Sequence, residues 1–351
     1  MPSTAISITN GKLGDDHGKT AHGLIRGSER FKLIAVLDPA YEGRDAGEVL
    51  DGVHRNIPVF GSLEQLLENC DSRPECAIIG VALEGGKLPD SWKPLLIEVV
   101  SQGISLVAGL HTQLASYPEL VVAAQKAGVE LIDIRKPRPI EELSFFSGEI
   151  YNIEIPRIAV LGTDCAVGKR TTCRLVMEMC RSNGIDTEII YTGQTGWMQG
   201  YPHGFILDAT PNDFVSGELE RVIVECAKER KPELILLEGQ SSLRNPFGPC
   251  GSELLLSGNA KHVILQHVPF RTYIENVQRP ECRIPHVRDE IELIGLYGSE
   301  TIAVCLNGLG RSQEELAAHQ KELQDELTIP VIRPLEEGLE GLLPAIRSIV
   351  S

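Results

Sequence analysis

Short apolar runs alternate with amphipathic stretches along the chain, and this alternation constrains the fold more than any other feature. In the first half, the predicted strands are AISIT (5–9), KLIAVLD (32–38), CAIIGVA (76–82), ISLVAGL (104–110) and VELIDI (129–134). The predicted helices between them are 62–70, 92–103 and 117–128, and the last two end at a glycine, as helices commonly do. The alternation is typical of parallel βα units.

A second series of strands follows a proline-rich interruption. The segment RKPRPIEELSFFSGEIYNIEIP contains three prolines, and we place a domain boundary near residue 150. The predicted strands beyond it are 157–163, 186–193, 232–239, 262–268, 301–308 and 329–334, and the predicted helices are 169–183, 213–230 and 312–326. The fold class is therefore α/β, with two tandem doubly wound parallel-sheet domains, 1–150 and 151–351.

Length and composition exclude several function classes. A chain of 351 residues is long enough for two domains, each with its own core. The net charge of −16 argues against nucleic acid and anionic membranes as partners, since both require clustered cations. The nine cysteines form no C-x-x-C pair, which favours free thiols. The stretch MPSTAISITNGK lacks the basic region and apolar run expected of a leader, and no run of about 18 apolar residues occurs. We therefore expect a cytoplasmic protein that acts on a small molecule.

The stretch GTDCAVGKRTT has the features of a phosphate-binding loop. It lies between a predicted strand and a predicted helix, so backbone N–H groups and the helix dipole would face an anion. Five residues separate its two glycines, where the common G-x-x-x-x-G-K-[ST] pattern has four, and an arginine occupies the place of the hydroxyl. The predicted cofactor-binding residues in this loop are Gly162, Thr163, Asp164, Cys165, Ala166, Val167, Gly168, Lys169, Arg170, Thr171 and Thr172.

Individual loop residues have predicted roles. Lys169 would reach the terminal phosphate, and Thr171 or Thr172 would take the metal or phosphate role of the displaced hydroxyl. Arg170 would add a second cation or face a partner subunit. No histidine is adjacent in sequence to Cys165, so nucleophilic catalysis by this thiol is not predicted. The alternative is a glycine turn before an ordinary helix with an exposed lysine and arginine.

Further polar residues follow other strands of the second half. Glu238 ends its strand where a P-loop domain places the acidic residue that holds Mg²⁺, and together with Thr171 it is the predicted metal site. Asn307 could pair with the edge of an adenine, and Gln194 and Thr195 are candidate substrate-binding residues beside two aromatic residues. The alternatives are a solvent-exposed carboxylate, an asparagine that caps a turn, and a turn with core aromatics.

Asp213, Arg244 and Arg271 are three further charged candidates. Asp213 lies at the start of the predicted helix 213–230, where a plain N-cap is the alternative role. Arg244 and Arg271 lie in loops after strands and could bind a carboxylate or phosphate through a forked pair of hydrogen bonds, with simple surface placement as the alternative.

The first half gives weaker signals. Its first strand is followed by NGKLGDDHGKTAHGLIR, which lacks G-x-G-x-x-G, so only Asp38 at the end of strand two favours a dinucleotide. Lys19 at a helix start could hold an anion, and His111 follows a glycine turn at the strand ends where a cleft is expected. A purely structural role is the alternative for both residues.

The motifs together resemble a family catalogued as a domain of unknown function, with a Rossmann-like domain followed by a P-loop NTPase-like domain. The matching stretches are GKTAHGLIR, GGKLP, GLHTQL, DIRKP, GTDCAVGKRTT, GQTGWM, DFVSGELE and EGQSSL, which span essentially the whole chain. The loop is also similar to that of dethiobiotin synthetase, GTDT-x-VGKT, which has the same spacing and uses ATP. The chain departs from that pattern at Arg170.

A characterised branch of the resembled family is D-glutamate N-acetyltransferase, which uses acetyl-CoA in D-amino acid metabolism. The resemblance implies that the loop holds a phosphorylated cofactor, either acetyl-CoA or ATP. It also implies that the acetyl group is transferred to the amine of an acidic amino acid. Candidate bases are Asp213, Glu238 and His267, and either Arg244 or Arg271 would bind the substrate carboxylate. The alternatives are an ATP/Mg²⁺-dependent kinase or ligase of the dethiobiotin synthetase type and a nucleotide-binding regulatory module. We also expect a homo-oligomer.

Overall fold

The computed structural model describes residues 2–70, 72–275 and 277–351, without the side chains of Asp16 and Glu84. The chain forms two compact units. The first comprises the residues up to Arg138 together with Gln194–Pro202, and the second comprises Pro139–Gly193 together with His203–Ser351. Each unit contains a parallel sheet, so the predicted α/β fold with two parallel-sheet domains is confirmed.

The first unit follows the predicted strand–helix alternation. Its strands are β1 (Ser3–Ile8), β2 (Phe31–Leu37), β3 (Val59–Phe60), β4 (Cys76–Ile79), β5 (Ser105–Ala108) and β6 (Leu131–Asp133). Its helices include α1 (Lys19–Ile25), α2 (Ala46–Asp51), α3 (Leu63–Asn69), α4 (Lys93–Ser101) and α5 (Pro118–Ala127). The strand order β3-β2-β1-β4-β5-β6 is that of a Rossmann domain, whose order reverses beside β1.

The remainder of the chain adds a second sheet. Its strands are β7 (Arg157–Gly162), β8 (Thr187–Tyr191), β9 (His203–Gly204), β10 (Leu234–Glu238), β11 (His262–His267), β12 (Glu300–Leu306) and β13 (Val331–Ile332). The helices are α6 (Lys169–Ser182), α7 (Gln194–Gln199), α8 (Asn212–Glu229), α9 (Ser252–Leu256), α10 (Val287–Leu296), α11 (Gln313–Glu326) and α12 (Leu343–Val350). The strand order is β13-β12-β11-β7-β10-β8-β9.

Strand β7 lies in the middle of this second sheet, between β10 and β11. All six of its residues are buried, as expected for a parallel strand covered on both faces. The carboxyl ends of β7, β10, β11 and β12 meet at one edge, which is where ligands bind in open α/β sheets. The predicted phosphate loop follows β7 at this edge.

The division between the units lies earlier than the predicted position near residue 150. The backbone N–H groups of Ser147 and Ile150 donate to the carboxylate of Glu220 on α8, at 2.6 and 3.1 Å. Ile150 is also fully buried in the core of the second unit. The segment after Arg138 is therefore anchored to the second unit before its first strand begins.

Helix α7 belongs to the first unit although it follows β8 of the second. Within the first unit, Met198 is fully buried in a cluster that includes Leu24 and Phe31. The sequence alone gave no sign of this insertion. In the part of the chain that the structure describes, no helix has both the length and the apolar character needed to cross a membrane.

Candidate functional site

The loop between β7 and α6 has the backbone of a phosphate cradle. A Cβ atom at Gly162 would lie 2.7 Å from a methyl carbon of Val167, so the turn has no room for a side chain there. Gly168 has a φ of +109°, which favours glycine, and Ala166 also has a positive φ of 49°. Helix α6 then begins at Lys169, so its N-terminus faces the loop. The strand, loop and helix occur in the predicted order.

Lys169 is buried by the loop. Its ammonium donates to the carbonyl oxygens of Asp164 and Ser241, both at 2.7 Å. Burial lowers its pKa, and nearby acidic groups, including Asp164 and Glu238, oppose this effect. Because an ammonium has three N–H bonds, one is left over from these two contacts for a ligand. The alternative of an exposed lysine is wrong.

The two threonines after Lys169 have different surroundings. The hydroxyl of Thr172 is buried and donates to the side-chain oxygen of Gln266 at 2.6 Å. Thr171 is half-buried. Of the two hydroxyls, Thr171 is therefore the better placed to take the role of the one that Arg170 displaces.

Glu238 is buried at the end of β10, next to β7. It accepts a hydrogen bond from the backbone N–H of Thr192 at 3.2 Å. Burial raises its pKa, while the charges of Arg170 and Lys169 and backbone N–H groups favour the carboxylate. The alternative of a carboxylate in solvent is wrong, because only 4% of Glu238 is exposed.

His267 ends β11 and is also buried. Its Nδ1 lies 2.9 Å from the hydroxyl oxygen of Thr163. Burial, with His319 and His286 nearby, lowers the pKa of His267 to about 3. The imidazole is therefore neutral at pH 7.

Asp164 and Arg271 form a buried ion pair under the loop. The guanidinium of Arg271 lies 3.0 Å from one carboxylate oxygen of Asp164 and also donates to the carbonyl of Cys165 at 2.7 Å. Asn245 donates to the other carboxylate oxygen at 3.2 Å. The guanidinium predicted to bind a substrate carboxylate thus binds a carboxylate of the protein.

Arg244 is likewise paired within the protein. Its Nε donates to the buried carboxylate of Glu290 on α10 at 2.6 Å, and Asp289 lies 3.8 Å away. The recorded partners of Arg244 are therefore residues of α10, and not the residues that surround Lys169.

Asn307 and Asp213 differ in their relation to the loop. The amide of Asn307 donates to the carbonyl of Val167 at 3.1 Å, and its oxygen accepts from the N–H of Leu309 at 3.1 Å. It therefore supports the loop and caps the following turn. Asp213 is exposed at the second position of α8, whose N-cap is Pro211, so its expected role as an N-cap is wrong.

The remaining predicted site residues belong to the first unit. Gln194 packs over Gly109, where an added Cβ would lie 2.5 Å from its Cγ, and Thr195 is buried. Lys19 and His111 are exposed. Their place in a substrate site remains a prediction.

Backbone hydrogen bonds join the glycine turns of the first unit to neighbouring loops. The N–H of Thr112 donates to the carbonyl of Gly86 at 3.0 Å, and the N–H of Ala82 donates to the carbonyl of His17 at 2.8 Å. These bonds connect the loops that follow β1, β4 and β5.

Asp38 does not suit a dinucleotide. It is fully buried and accepts hydrogen bonds from the hydroxyl of Thr9 at 2.6 Å and the N–H groups of Leu13 and Ala40 at 3.0 and 2.9 Å. Its carboxylate therefore holds the loop after β1 instead of facing a ribose. Since G-x-G-x-x-G is also absent from that loop, the first unit does not fit the nicotinamide cofactors of many Rossmann folds.

The predicted metal pair has a limited donor set. Across residues 2–70, 72–275 and 277–351, no group of three or more His, Cys, Asp or Glu side chains could hold a metal ion. Mg²⁺ in phosphate sites takes one or two carboxylates together with phosphate oxygens and water. Thr171 and Glu238 are compatible with that arrangement when a phosphate is bound, and this site stays a prediction.

Three residues at the loop were missed in the sequence. The carbonyl of Ser241 accepts a hydrogen bond from Lys169, Gln266 accepts one from Thr172, and Asn245 donates one to Asp164. Ser241 and Asn245 lie just after β10, and Gln266 lies within β11. Their position at the carboxyl ends of the strands beside β7 is the signal that could have identified them.

These elements define the class of protein. A Rossmann-like unit accompanies a unit whose buried lysine, glycine loop and helix form a P-loop. The chain belongs to the DUF1611 family: residues 144–343 match its P-loop domain, and residues 39–137 match its Rossmann-like N-terminal domain, both described as domains of unknown function.

Relatives of known structure or name agree with this assignment. A crystal structure of a DUF1611 family protein from Anabaena variabilis is similar with a TM-score of 0.89 and 27% identity, over 99% of each chain. A protein of Tritonibacter scottomollicae named D-glutamate N-acetyltransferase is 28% identical over 83% of this chain and 86% of its own length. A protein of a Pseudoalteromonas species with the same name is 28% identical over 76% of this chain and 79% of its own length.

Proposed function

We propose that this protein is an N-acetyltransferase that moves the acetyl group of acetyl-CoA to the amine of D-glutamate. The observation that carries the proposal is the buried Lys169 ammonium inside a glycine loop at the N-terminus of α6, in a chain whose relatives bear that name. Coenzyme A carries a pyrophosphate and a 3′-phosphate. A phosphate cradle would therefore anchor the donor without breaking a phosphate bond.

Arg170 fits this use of the loop. In ATP-using loops the residue after the lysine supplies a hydroxyl for Mg²⁺. Here an arginine adds a second cation instead, and its charge acts on the carboxylate of Glu238. We assign Arg170 to the phosphates of the donor, because Arg244 and Arg271 are already paired with carboxylates of the protein.

We assign Glu238 as the general base. The amine of an amino acid is protonated at neutral pH and must lose a proton before it attacks the thioester carbonyl. A buried carboxylate with a raised pKa is better matched to that proton transfer than His267, whose pKa of about 3 makes it a weak base. The amine nitrogen then bonds to the carbonyl carbon, the carbon–sulfur bond breaks, and the CoA thiolate leaves and takes up a proton. Asp213 is exposed and is the weaker candidate.

The test is acetylation by the purified protein. Acetyl-CoA would be incubated with a panel of D- and L-amino acids, followed by mass spectrometry of the products and titration of the released thiol. We expect N-acetyl-D-glutamate and free thiol in equal amounts, with no requirement for ATP. ATP turnover without acetyl transfer would contradict the proposal and favour a kinase or ligase. Binding of acetyl-CoA or ATP without any turnover would favour a regulatory module.

A further inference from the structure

We propose that Asp164 is a positioning residue, which sets the shape of the phosphate loop through its buried ion pair with Arg271. The proposal deepens the function proposed above and rests on it. Both residues lie in the second unit, and the Asp164 side chain is fully buried while that of Arg271 is 16% exposed. Neither side chain is thus an ordinary surface charge.

The carboxylate of Asp164 connects the loop to its two neighbours. One oxygen accepts from Arg271 at 3.0 Å and from the backbone N–H of Glu275 at 2.7 Å. The other oxygen accepts from Asn245 at 3.2 Å. Asn245 follows β10, while Arg271 and Glu275 follow β11, so one side chain joins the loops of three adjacent strands.

The backbone of the same residue holds the functional lysine. The carbonyl of Asp164 accepts from the ammonium of Lys169 at 2.7 Å, and the next carbonyl, that of Cys165, accepts from Arg271 at 2.7 Å. Movement of the Asp164 side chain would therefore move the carbonyl that positions Lys169. The ion pair and the ammonium form one connected network.

Burial makes this network specific. A carboxylate removed from water is costly unless it is paired and hydrogen-bonded, so its three donors fix its position. The Nη1 of Arg271 donates both to the Asp164 carboxylate and to the carbonyl of Cys165, so this guanidinium is already committed to the loop. We therefore assign Arg271 to the loop and not to the amino-acid substrate.

The test is the D164N variant compared with a matched control. We expect KM for acetyl-CoA to rise about 100-fold, with a smaller change in kcat, because the loop is displaced while Glu238 is not. In the free protein, hydrogen–deuterium exchange should accelerate in peptides that cover residues 162–172. The control is E188Q, since Glu188 is a buried carboxylate of β8 that Arg181 and Arg230 hold at 3.2 and 3.1 Å. It should lower the melting temperature and leave both loop readouts unchanged.

A double variant tests the pairing itself. R271A should raise KM in the wild-type background and add little in the D164N background, because the two residues act through one contact. If D164N does not fold, N245A replaces it in the test, because this variant removes one donor to the carboxylate and leaves no charge unpaired. N245A should also raise KM for acetyl-CoA and accelerate hydrogen exchange in the loop.

These experiments distinguish failure of the positioning role from failure of the proposed function. Unchanged KM and loop exchange in D164N, or in N245A if that is the variant that folds, would overturn the positioning role. Equal acceleration of exchange throughout the second unit would also overturn it, because the pair would then be merely structural. If acetyl-CoA instead fails to bind the wild-type protein, the proposed function itself has failed.

Discussion

At the scale of single residues, burial has its clearest chemical consequence at Glu238. Its carboxylate lies at the end of a buried strand, near the charges of Lys169 and Arg170. Desolvation favours the protonated form and the two cations favour the charged one. A base for an ammonium substrate requires this balance, which raises the pKa of the group without keeping it permanently neutral.

The E238Q variant should be less active and more stable. Burial raises the pKa of Glu238 above the unfolded value of 4.5, so the folded state holds the proton more tightly than the unfolded state. Stability therefore falls as the pH rises from the unfolded pKa through the folded pKa. At pH 7 the amide removes that cost, and we expect the melting temperature to rise by about 2 °C. We expect kcat to fall by about 100-fold or more. Calorimetry and the thiol assay on the same preparation measure both, and a fully active variant would exclude Glu238 as the base.

The H267N variant should resist acid better than the wild type. The folded pKa of about 3 lies below the unfolded value of 6.5, so the unfolded chain takes up the proton first and stability is lost as the pH falls through this window. By pH 4 this effect should be on the order of 3 kcal/mol in the wild type. Denaturant titrations at pH 7 and pH 4 measure it. The control is H54N, because a hydrogen bond to Glu48 raises the pKa of His54 and gives the opposite sign. Equal acid sensitivity of H267N and wild type would contradict the burial effect.

At the scale of elements, the loop between β7 and α6 was predictable because all of its parts are contiguous. Strand, glycines, lysine and helix follow one another in the sequence, so their local geometry needed no tertiary information. The contacts of Asn245 and Gln266 with the loop depend on which strands flank β7. The sequence does not state that order, so these residues were missed.

The predicted strands were located well because they are continuous apolar runs buried on both faces. The short helices α2, α7, α9 and α12 were not predicted, since few turns give little periodic signal. Arg271 and Arg244 show why a ligand-binding role cannot be predicted from residue type and loop position alone. Their type and loop position suggested a ligand, but charge alone does not reveal that a buried carboxylate of the protein takes the guanidinium.

Replacement of Gly168 tests the geometry of the loop. Its φ of +109° is one that L-residues rarely adopt, so G168A should lose about 1–2 kcal/mol of stability and bind acetyl-CoA more weakly. The matched control is G184A, because Gly184 follows α6 with a φ of +79° and has open space around it. Thermal unfolding should shift in both variants, whereas calorimetric affinity should fall only in G168A. An equal loss of affinity in both would show that the loop geometry is not responsible.

At the scale of the whole molecule, the chain builds two cores that are not separated by a single cut. Helix α7 leaves the second unit after β8 and completes the first, where Met198 is fully buried. The amide of Gln199 donates to the carbonyl of Gly23 at 3.1 Å within the same unit. A boundary inferred from proline content cannot reveal such an insertion, because the inserted segment lies far from the boundary in sequence.

Paired core variants test this assignment of α7. M198A should destabilise the first unit by about 2–4 kcal/mol, and hydrogen exchange should accelerate in β1, β2 and β4. M177A, on α6 of the second unit, should accelerate exchange in β7 and β10 instead. Mass spectrometry of exchange in both variants provides the comparison. Acceleration of β7 and β10 by M198A, with β1 unaffected, would contradict the assignment.

The most direct measurement of the central claim is calorimetric titration of acetyl-CoA into the wild-type protein and into K169A. The claim is that the Lys169 ammonium and the glycine loop hold the phosphates of the acetyl donor. A charge-assisted contact of this kind contributes about 1.5–3 kcal/mol, so we expect the affinity to fall by about 10- to 100-fold in the variant. Equal affinity for acetyl-CoA in the two proteins would contradict the claim.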